Sequence, residues 1–322
     1  MNPDIANAIP KLVESGILPP EKAPLLLRVA RRELVSVQGE LRMLLYAGVL
    51  LLTAGVGLLV KENLDRIGPV AIAAGIGLAA AAALAWVWRV APPFSWQEVR
   101  SPNLSFDYIL LLGLLLAAAD LAYIEVQFTP LGLNWTWHLL IVALFTGLAA
   151  FRFDSRIAFS LALSTFAAWR GVAMARFGPA LLWDRAEEAV RWNAIACGVL
   201  FVVLGFVLKK TNRKAHFEPL AVYLGWLLIL GGLASGMGES GAWGAYTSAL
   251  LLCGAALAVG AYRFRRFPLF AFGVVAGYAA LSRMILELGD VAEIFGCFWF
   301  FGSAILLLFG LIVAQRRMKE PL

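Results

Sequence analysis

The sequence predicts an all-α fold, a polytopic integral membrane protein with about ten transmembrane helices. Of the 322 residues, 61% are hydrophobic and only 15% are charged, whereas soluble domains have about 45–50% apolar and about 25% charged residues. The apolar residues also fall into runs of roughly 20, the length that crosses the hydrocarbon core of a bilayer. Together these observations exclude an ordinary soluble enzyme.

The first 40 residues are predicted to form a cytoplasmic leader of two short helices. Asn2 and Pro3 suit a helix N-cap and first helical position, and Gly16 suits the end of that helix. A second helix begins at Pro19 and continues through LLLRVARREL, a basic amphipathic segment. It either lies on an anionic membrane surface or packs against itself and neighbouring loops. The first apolar run starts near residue 41, too late for a signal peptide, so we expect it to remain as a membrane helix.

The transmembrane domain is predicted over residues 41–322. The ten apolar runs lie near 41–60, 68–90, 106–128, 138–153, 157–177, 192–210, 220–238, 245–264, 267–288 and 293–315. Twenty of the 27 lysines and arginines fall on the same side of the membrane as the N-terminus, five on the other side and two within spans. Because cytoplasmic segments are enriched in these residues, both termini are predicted to be cytoplasmic.

An internal repeat is predicted within this domain. The segment AAFRFDSRIAFSLALSTFAAWR at 149–170 resembles GAYRFRRFPLFAFGVVAGYAALSR at 260–283, and Arg152 aligns with Arg263 at an offset of 111. Two leading helices (41–105) are then followed by two four-helix units. Residues 106–215 form the first unit and residues 216–322 the second. An even number of spans in each unit makes the repeats parallel about an axis along the membrane normal.

Charged residues inside spans are costly and are typical of functional sites. In the predicted topology six of them lie in or near the outer half of the membrane, where they could line an outward-facing polar vestibule: Asp120, Glu125, Arg170, Arg283, Glu287 and Asp290. Asp120 and Arg170 lie at similar depth and could form an ion pair with each other, and the last three share one helical face. Ion pairs that only tie the helices together are the other interpretation.

Four further polar residues are outer-loop candidates: Glu62, Asn63, Asp65 and His138. The first three lie on the first predicted outer loop, before Ile67–Gly68–Pro69, and we favour a re-entrant or helix-capping turn over ligand contact as their role. His138 lies at an outer interface beside two tryptophans, where we favour an interfacial anchor over a catalytic base. The pair Gly231–Gly232 aligns near Asp120 in the repeat and indicates either close helix packing or a broken helix at a substrate site.

Metal and cofactor sites are not predicted. The three cysteines lie in separate apolar runs, and the two histidines are far apart in sequence, whereas a zinc or iron–sulfur site needs about four clustered ligands. No phosphate-binding loop, nucleophile elbow or acidic pair of metal-site type is present. The basic clusters between apolar runs indicate membrane orientation rather than nucleic-acid binding.

The segment LVESGILPPEKAPLLLRVARREL, followed by LYAGVLLLTAGVGLLVKENLDRIGP, resembles the bacterial predicted membrane proteins of domain of unknown function 2157. Gly16, Ile17 and Glu21 match the family's helical leader, and Asn63 matches the end of its first span. Leu64 departs from the pattern, because the family often has Trp there. The resemblance covers about residues 9–69. It implies a multi-spanning protein of the bacterial inner membrane and supplies no activity or catalytic residues.

Three classes of function are compatible with the sequence. The hypothesis we favour is a transporter or flippase-like protein that moves a small solute or lipid through the predicted vestibule. The alternative is a non-catalytic scaffold or sensor whose residues 1–40 bind a cytosolic or membrane protein. An intramembrane enzyme acting on lipid-linked substrates is the third, and the absence of catalytic motifs disfavours it. Membrane lipids are expected partners in every case.

Overall fold

The computed structural model describes residues 38–99, 101–177, 186–239, 241–287 and 291–319, together with residues 10, 13–15, 19, 21 and 23. At 38–42, 60–67, 104, 174–177, 186, 291–301 and 319 it describes the backbone alone. Within these residues the chain forms ten α-helices and no strand, so the predicted all-helical fold is confirmed. The helical leader predicted over residues 1–40 lies almost wholly outside the described residues.

Each predicted span coincides with one helix. In chain order the helices are α1 Gln38–Ile67, α2 Pro69–Val90, α3 Leu104–Phe128, α4 Trp137–Phe153, α5 Arg156–Phe177, α6 Ala186–Lys210, α7 Glu218–Ser235, α8 Trp243–Arg263, α9 Phe267–Leu286 and α10 Val291–Lys319. Six helical segments of the described chain, at or within α2, α3, α6, α7, α8 and α9, are long and apolar enough to cross a membrane. Shorter apolar segments at Met43–Leu59 and Trp137–Phe153 add to them, so the protein is a polytopic membrane protein.

The helices begin where the sequence offers a helix-starting residue. Pro69, Pro219 and Pro268 lie in the first turns of α2, α7 and α9, where proline loses no hydrogen bond because the first N–H groups of a helix have no partner inside it. Asn103 caps α3, and its side chain accepts a hydrogen bond of 2.8 Å from the Phe106 N–H. Gly68 separates α1 from α2 with φ 79°, a conformation that favours glycine.

The chain divides into two compact units, Met1–Asn63 and Leu64–Leu322. In the first, α1 contains a local hydrogen bond of 2.8 Å from Thr53 Oγ1 to the Val49 carbonyl. The second contains α2 to α10, in which neighbouring helices pack as pairs: α2 with α3, α4 with α5, α6 with α7, and α8 with α9. The domain division predicted at residue 40, and the subdivision into two repeats, stay predictions.

Glycines set two of these helix pairs in backbone contact. A Cβ atom on Gly198 of α6 would lie 2.5 Å from the Gly225 carbonyl oxygen of α7, and one on Gly225 would lie 2.6 Å from the Gly198 oxygen. In the α8–α9 pair, a Cβ on Gly273 would lie 2.5 Å from the Gly254 oxygen. Such close approach is available only to glycine, and it increases van der Waals contact between helices.

The turns after α4 and α8 have the same backbone geometry. Asp154 and Arg265 both adopt left-handed conformations, with φ 59° and 54°. The Ser155 N–H donates to the Ala150 carbonyl over 3.2 Å, and the Arg266 N–H donates to the Ala261 carbonyl over 2.9 Å. Both pairs of positions are 111 residues apart, the offset of the predicted repeat.

The two ends of the second unit differ in charge. We call the end formed by residues 91–99, 101–103, 154–156, 211–217 and 264–266 the basic end, because lysines and arginines are concentrated there. We call the end formed by residues 129–136, 236–239 and 241–242 the opposite end.

We expect Gly225→Val to destabilise the protein. The added side chain would meet the backbone of α6, which cannot move aside without separating the two helices, and overpacking of this kind costs about 1–3 kcal/mol or more. The midpoint of thermal unfolding in detergent should therefore fall. Gly75→Val is the matched control, because Gly75 is exposed on α2 and a Cβ there meets no atom within 4 Å. Equal midpoints for the two variants would contradict the glycine contact.

Candidate functional site

A groove of about 480 Å³ lies between α6 and α7 near the opposite end. Its wall is mainly apolar, with Leu227 and Leu228 on one side and Val190 and Ala194 on the other. Polar groups from Arg191, Ser235 and Glu187 complete the lining. Because Leu227 is 54% exposed, the groove opens on the surface of the helical unit. We call it the α6–α7 groove.

The two adjacent glycines of α7 have different roles in this groove. A Cβ on Gly232 would lie 2.8 Å from the Ile195 side chain and 3.2 Å from the Arg191 carbonyl oxygen. Gly232 therefore permits the close approach of α6. A Cβ on Gly231 would meet no atom within 4 Å, so the missing side chain at that position leaves the groove open.

Arg191 lies in this groove with its side chain only 5% exposed. Its Nη2 donates to Glu239 Oε2 over 2.9 Å, and its Nε donates to Ser235 Oγ over 3.4 Å. The guanidinium carbon lies 4.8 Å from the centroid of the Tyr246 ring. Nη1 is buried and has no hydrogen-bond partner among the described residues. Because an unpaired buried donor costs about 1–3 kcal/mol, a ligand oxygen at Nη1 would be stabilised.

A second arginine also binds the connection between α7 and α8. Arg283 Nε donates to the Met237 carbonyl over 3.2 Å, and its guanidinium lies 5.7 Å from the Trp243 ring. We call residues 235–239 and 241–243 the hinge segment. It contains the 3-10 turn Gly236–Gly238. Arg191 binds this segment through Ser235 and Glu239, while Arg283 binds it through Met237.

The hinge segment also depends on the glycine that starts its 3-10 turn. A Cβ on Gly236 would overlap the Tyr246 ring, so the ring packs directly against the backbone of the turn. Arg191 lies over the same ring. The turn, the ring and the arginine therefore form one packed arrangement in which a shift of any member moves the others.

The structure brings together one pair of the predicted vestibule. Arg283 Nη2 and Glu287 Oε1 are 2.5 Å apart, one helical turn from each other on α9 and its end. Asp290 lies outside the described residues. Arg283 and Glu287 thus belong to the surroundings of the hinge segment, near the groove that contains Arg191.

The other three predicted vestibule residues have different neighbours. Asp120 lies against Gly77 of α2, where a Cβ would be 2.9 Å from Asp120 Oδ2, and its Oδ1 is buried without a hydrogen-bond partner among the described residues. Arg170 lies beside Cys197 and 5.8 Å from the Trp169 ring. Among the ion pairs of the described residues none joins Asp120 to Arg170, since the two side chains turn toward different helices. The position of each residue along its helix predicts its depth in the membrane, but it does not determine which neighbouring helix the side chain faces.

Glu125 has a local structural role. Its side chain is buried, and Oε2 accepts a hydrogen bond of 3.1 Å from the Leu131 N–H. Its backbone carbonyl also accepts from the Thr129 N–H, over 2.9 Å. Glu125 therefore closes the chain reversal after α3, in which Thr129 adopts a left-handed conformation.

The structure also places the four predicted outer-loop candidates. The ring of His138 stacks on Trp135, with centroids 5.7 Å apart, and its Nδ1 contacts the Trp135 carbonyl. The placement of Glu62, Asn63 and Asp65 in a loop is wrong, because α1 continues to Ile67 and all three are helical. Their side chains lie outside the described residues.

A buried ionic cluster at the basic end was not predicted. Lys214 Nζ lies 2.9 Å from Asp154 Oδ1, with side chains 1% and 4% exposed. His216 Nε2 lies 2.8 Å from the same oxygen, and the Val99 N–H donates to the other carboxylate oxygen. The Lys214 N–H in turn donates to the Trp96 carbonyl over 2.7 Å. Asp154 therefore joins the three connections α2–α3, α4–α5 and α6–α7.

Further contacts surround this cluster at the surface. Arg156 and Glu98 form an exposed ion pair at 2.9 Å. Arg152 Nη1 donates to the Pro92 carbonyl over 3.1 Å, and its guanidinium lies 4.8 Å from the Trp88 ring. Arg152, before the α4–α5 turn, and Arg156, after it, thus both hold the α2–α3 connection through polar contacts.

We expect Asp154→Ala to be strongly destabilising, because it leaves Lys214 charged and buried without a counter-ion. Breaking a buried pair in this way typically costs about 3–5 kcal/mol. Glu98→Ala is the control, since it removes the acidic partner of an exposed pair, where about 0–1 kcal/mol is normal. Thermal unfolding in detergent measures both, and similar midpoints would show that the Asp154 cluster does not support the fold.

The comparisons with known proteins concern the N-terminal part of the chain. The family model described as a predicted membrane protein, DUF2157, matches residues 10–159. No curated protein and no solved structure matches the chain. The matched region contains α1 to α4 and the first residues of α5, whereas Arg191 and the α6–α7 groove follow it. The resemblance predicted from the N-terminal sequence is therefore confirmed: over residues 10–159 this polytopic membrane protein matches the DUF2157 family of predicted membrane proteins.

Proposed function

We propose that this protein is a lipid-handling, flippase-like protein of the bacterial inner membrane. In this proposal a lipid enters the α6–α7 groove from the outer leaflet and places its headgroup at Arg191. The observation that carries the proposal is the buried Arg191 guanidinium, which keeps one N–H group without a partner among the described residues beside a mainly apolar groove. Intramembrane charges of this kind are typical of substrate sites.

The orientation follows from the charge of the two ends. Ten lysines and arginines of the described residues lie at or next to the basic end: Arg89, Arg152, Arg156, Lys209, Lys210, Arg213, Lys214, Arg263, Arg265 and Arg266. Because such residues remain on the cytoplasmic side, we place the basic end and both termini in the cytoplasm. The opposite end, with the α6–α7 groove, then faces the outer leaflet.

The charges around the groove favour a zwitterionic headgroup. The free donor of Arg191 would bind a phosphate oxygen through a charge-assisted hydrogen bond. Glu187 lines the same groove, so its carboxylate would stabilise an ammonium group. The apolar wall of Leu227, Leu228 and Val190 would contact an acyl chain. A phosphoethanolamine lipid combines all three features.

Headgroup binding would also act on the hinge segment. Glu239 is 46% exposed, whereas Arg191 is nearly buried. A phosphate at Nη1 would draw the guanidinium away from Glu239, which is bonded to Nη2, and Glu239 can turn toward water when that bond is lost. Loss of that bond leaves the hinge segment held by Arg283 through Met237 and by Arg191 through Ser235. Headgroup binding would loosen the hinge segment in this way.

Lipid movement can be measured with the purified full chain in vesicles of phosphatidylethanolamine and phosphatidylglycerol that contain a fluorescent phosphatidylethanolamine. An external reductant quenches only the probe in the outer leaflet. The wild-type protein should expose nearly all of the probe, and protein-free vesicles about half. Probe that starts in the inner leaflet is quenched in a second phase, as it reaches the outer leaflet. We expect Arg191→Gln to slow this second phase roughly tenfold, which corresponds to a free-energy difference of about 1.4 kcal/mol.

Two glycine variants test the path of the lipid. Gly231→Leu would fill the α6–α7 groove and should slow quenching, while Gly75→Leu adds the same side chain to an exposed position on α2 and should not. A folded wild-type protein that leaves half of the probe protected would contradict the flippase-like activity and leave the scaffold hypothesis. Equal rates for both glycine variants would exclude this groove as the path.

Topology is tested with fusions of alkaline phosphatase, which is active only outside the cytoplasm. Fusion after Gly132, in the connection at the opposite end, should be active, and fusion after Asn212, at the basic end, should be inactive. A fluorescent reporter after Lys319 should report a cytoplasmic C-terminus. The reverse pattern would overturn the orientation and place the α6–α7 groove in the inner leaflet.

A further inference from the structure

We propose that a second groove, at the basic end, binds an anionic phospholipid of the cytoplasmic leaflet. This groove of about 430 Å³ is lined by residues of α6, α7, α8 and α9 together with the α8–α9 turn. Its wall contains Trp226, Leu257 and Leu269, and its rim contains Lys209 and Arg266. We call it the basic groove. The inference does not depend on the proposed lipid movement.

Two cations lie at the rim of the basic groove with different constraints. Arg266 Nη1 lies 2.6 Å from Glu218 Oε1, a carboxylate whose side chain is only 9% exposed. This contact fixes the guanidinium and leaves most of its five N–H donors for other acceptors. Lys209 is exposed at the end of α6 and has no ion pair among the described residues. One cation is thus positioned by the protein and the other is able to adjust.

The charge balance around the rim favours an anion. Exposed Lys210, Arg263 and Arg265 lie next in sequence to the groove residues, and Glu218 is the acidic group bonded to Arg266. Basic pockets between transmembrane helices on the cytoplasmic side are known to bind the phosphates of anionic lipids. The α6–α7 groove differs, because Glu187 and Glu239 accompany its arginine.

The remainder of the groove favours a lipid over a free anion. Apolar walls continue from the cations into the helical unit, and a Cβ on Gly260 would meet no atom within 4 Å. Gly260 therefore leaves space in which an acyl chain can lie. Phe264, which is exposed, and Trp226 also belong to the lining, and both add apolar surface that an acyl chain can contact. Phosphatidylglycerol and cardiolipin provide both the phosphate and the chain.

Binding is tested by native mass spectrometry of the full chain in detergent, titrated with phosphatidylglycerol and, separately, with phosphatidylethanolamine. We expect phosphatidylglycerol to bind at least fivefold more tightly. Lys209→Gln should weaken that binding about fivefold. Lys210→Gln is the matched control, since it removes the same charge from the neighbouring residue, which does not line the groove, and should change binding by less than twofold.

Space in the groove is tested independently of charge. Gly260→Leu should remove the bound phosphatidylglycerol, whereas Gly75→Leu should not, and size-exclusion profiles verify that both variants are folded. An excess of glycerol 3-phosphate, which has the phosphate without the chain, should not displace the lipid.

Three outcomes would overturn the inference. Equal losses for Lys209→Gln and Lys210→Gln would mean that binding responds only to overall charge. Equal affinity for the two lipids would mean that the groove does not select an anion. Displacement by glycerol 3-phosphate would identify a site for free phosphate compounds.

Discussion

The buried contact of Lys214 with Asp154 is the constraint on which the arrangement of the helix pairs depends. A charged lysine that is 1% exposed is tolerated only if its counter-ion is fixed and bonded in turn. Asp154 meets this requirement because it ends α4 in a left-handed conformation, from which its carboxylate reaches both Val99 and the α6–α7 connection. Three helix pairs therefore meet at one carboxylate. Since helices are stiff, fixing their basic ends limits how far they can separate elsewhere.

Close helix contact then determines where the grooves form. Gly198 and Gly225 bring the backbones of α6 and α7 together, so the two helices cannot separate over their middle turns. Towards the opposite end Gly232 maintains that approach, while Gly231 leaves an opening on the adjacent face. Arg191 occupies the end of that opening and binds the hinge segment. The same structural principle applies at the basic groove, where Gly260 supplies the space and the turn after α8 supplies Arg266. Each groove thus results from a missing side chain beside a fixed cation.

The helices could be predicted from the sequence because apolar runs of about 20 residues and flanking prolines are local signals. Arg283 and Glu287 could also be paired, since they are one helical turn apart. The facing of Asp120 and Arg170 could not, because depth along a helix does not determine which neighbour a side chain meets. Arg191 lies just before the predicted span 192–210, so the sequence placed it in a connecting segment. In the structure α6 begins at Ala186, before its apolar run, and includes Arg191. The contact between Asp154 and Lys214 joins residues 60 positions apart and has no local pattern. Glu125 bonds to a backbone N–H, a partner that residue types do not reveal.

The spacing of the two cations on α6 also relates this helix to membrane thickness. Arg191 and Lys209 are 18 residues apart on one continuous helix, which is five turns at 3.6 residues per turn and about 27 Å at 1.5 Å per residue. They therefore lie on the same face of α6, separated by close to the ~30 Å of a hydrocarbon core. In the proposed orientation, a bilayer of that thickness would place both cations at phosphate depth in opposite leaflets. A thicker bilayer would draw one of them into the acyl chains, and hydrophobic mismatch of this kind sorts proteins among membranes. If both grooves bind headgroups as proposed, the length of α6 would therefore favour membranes of this thickness.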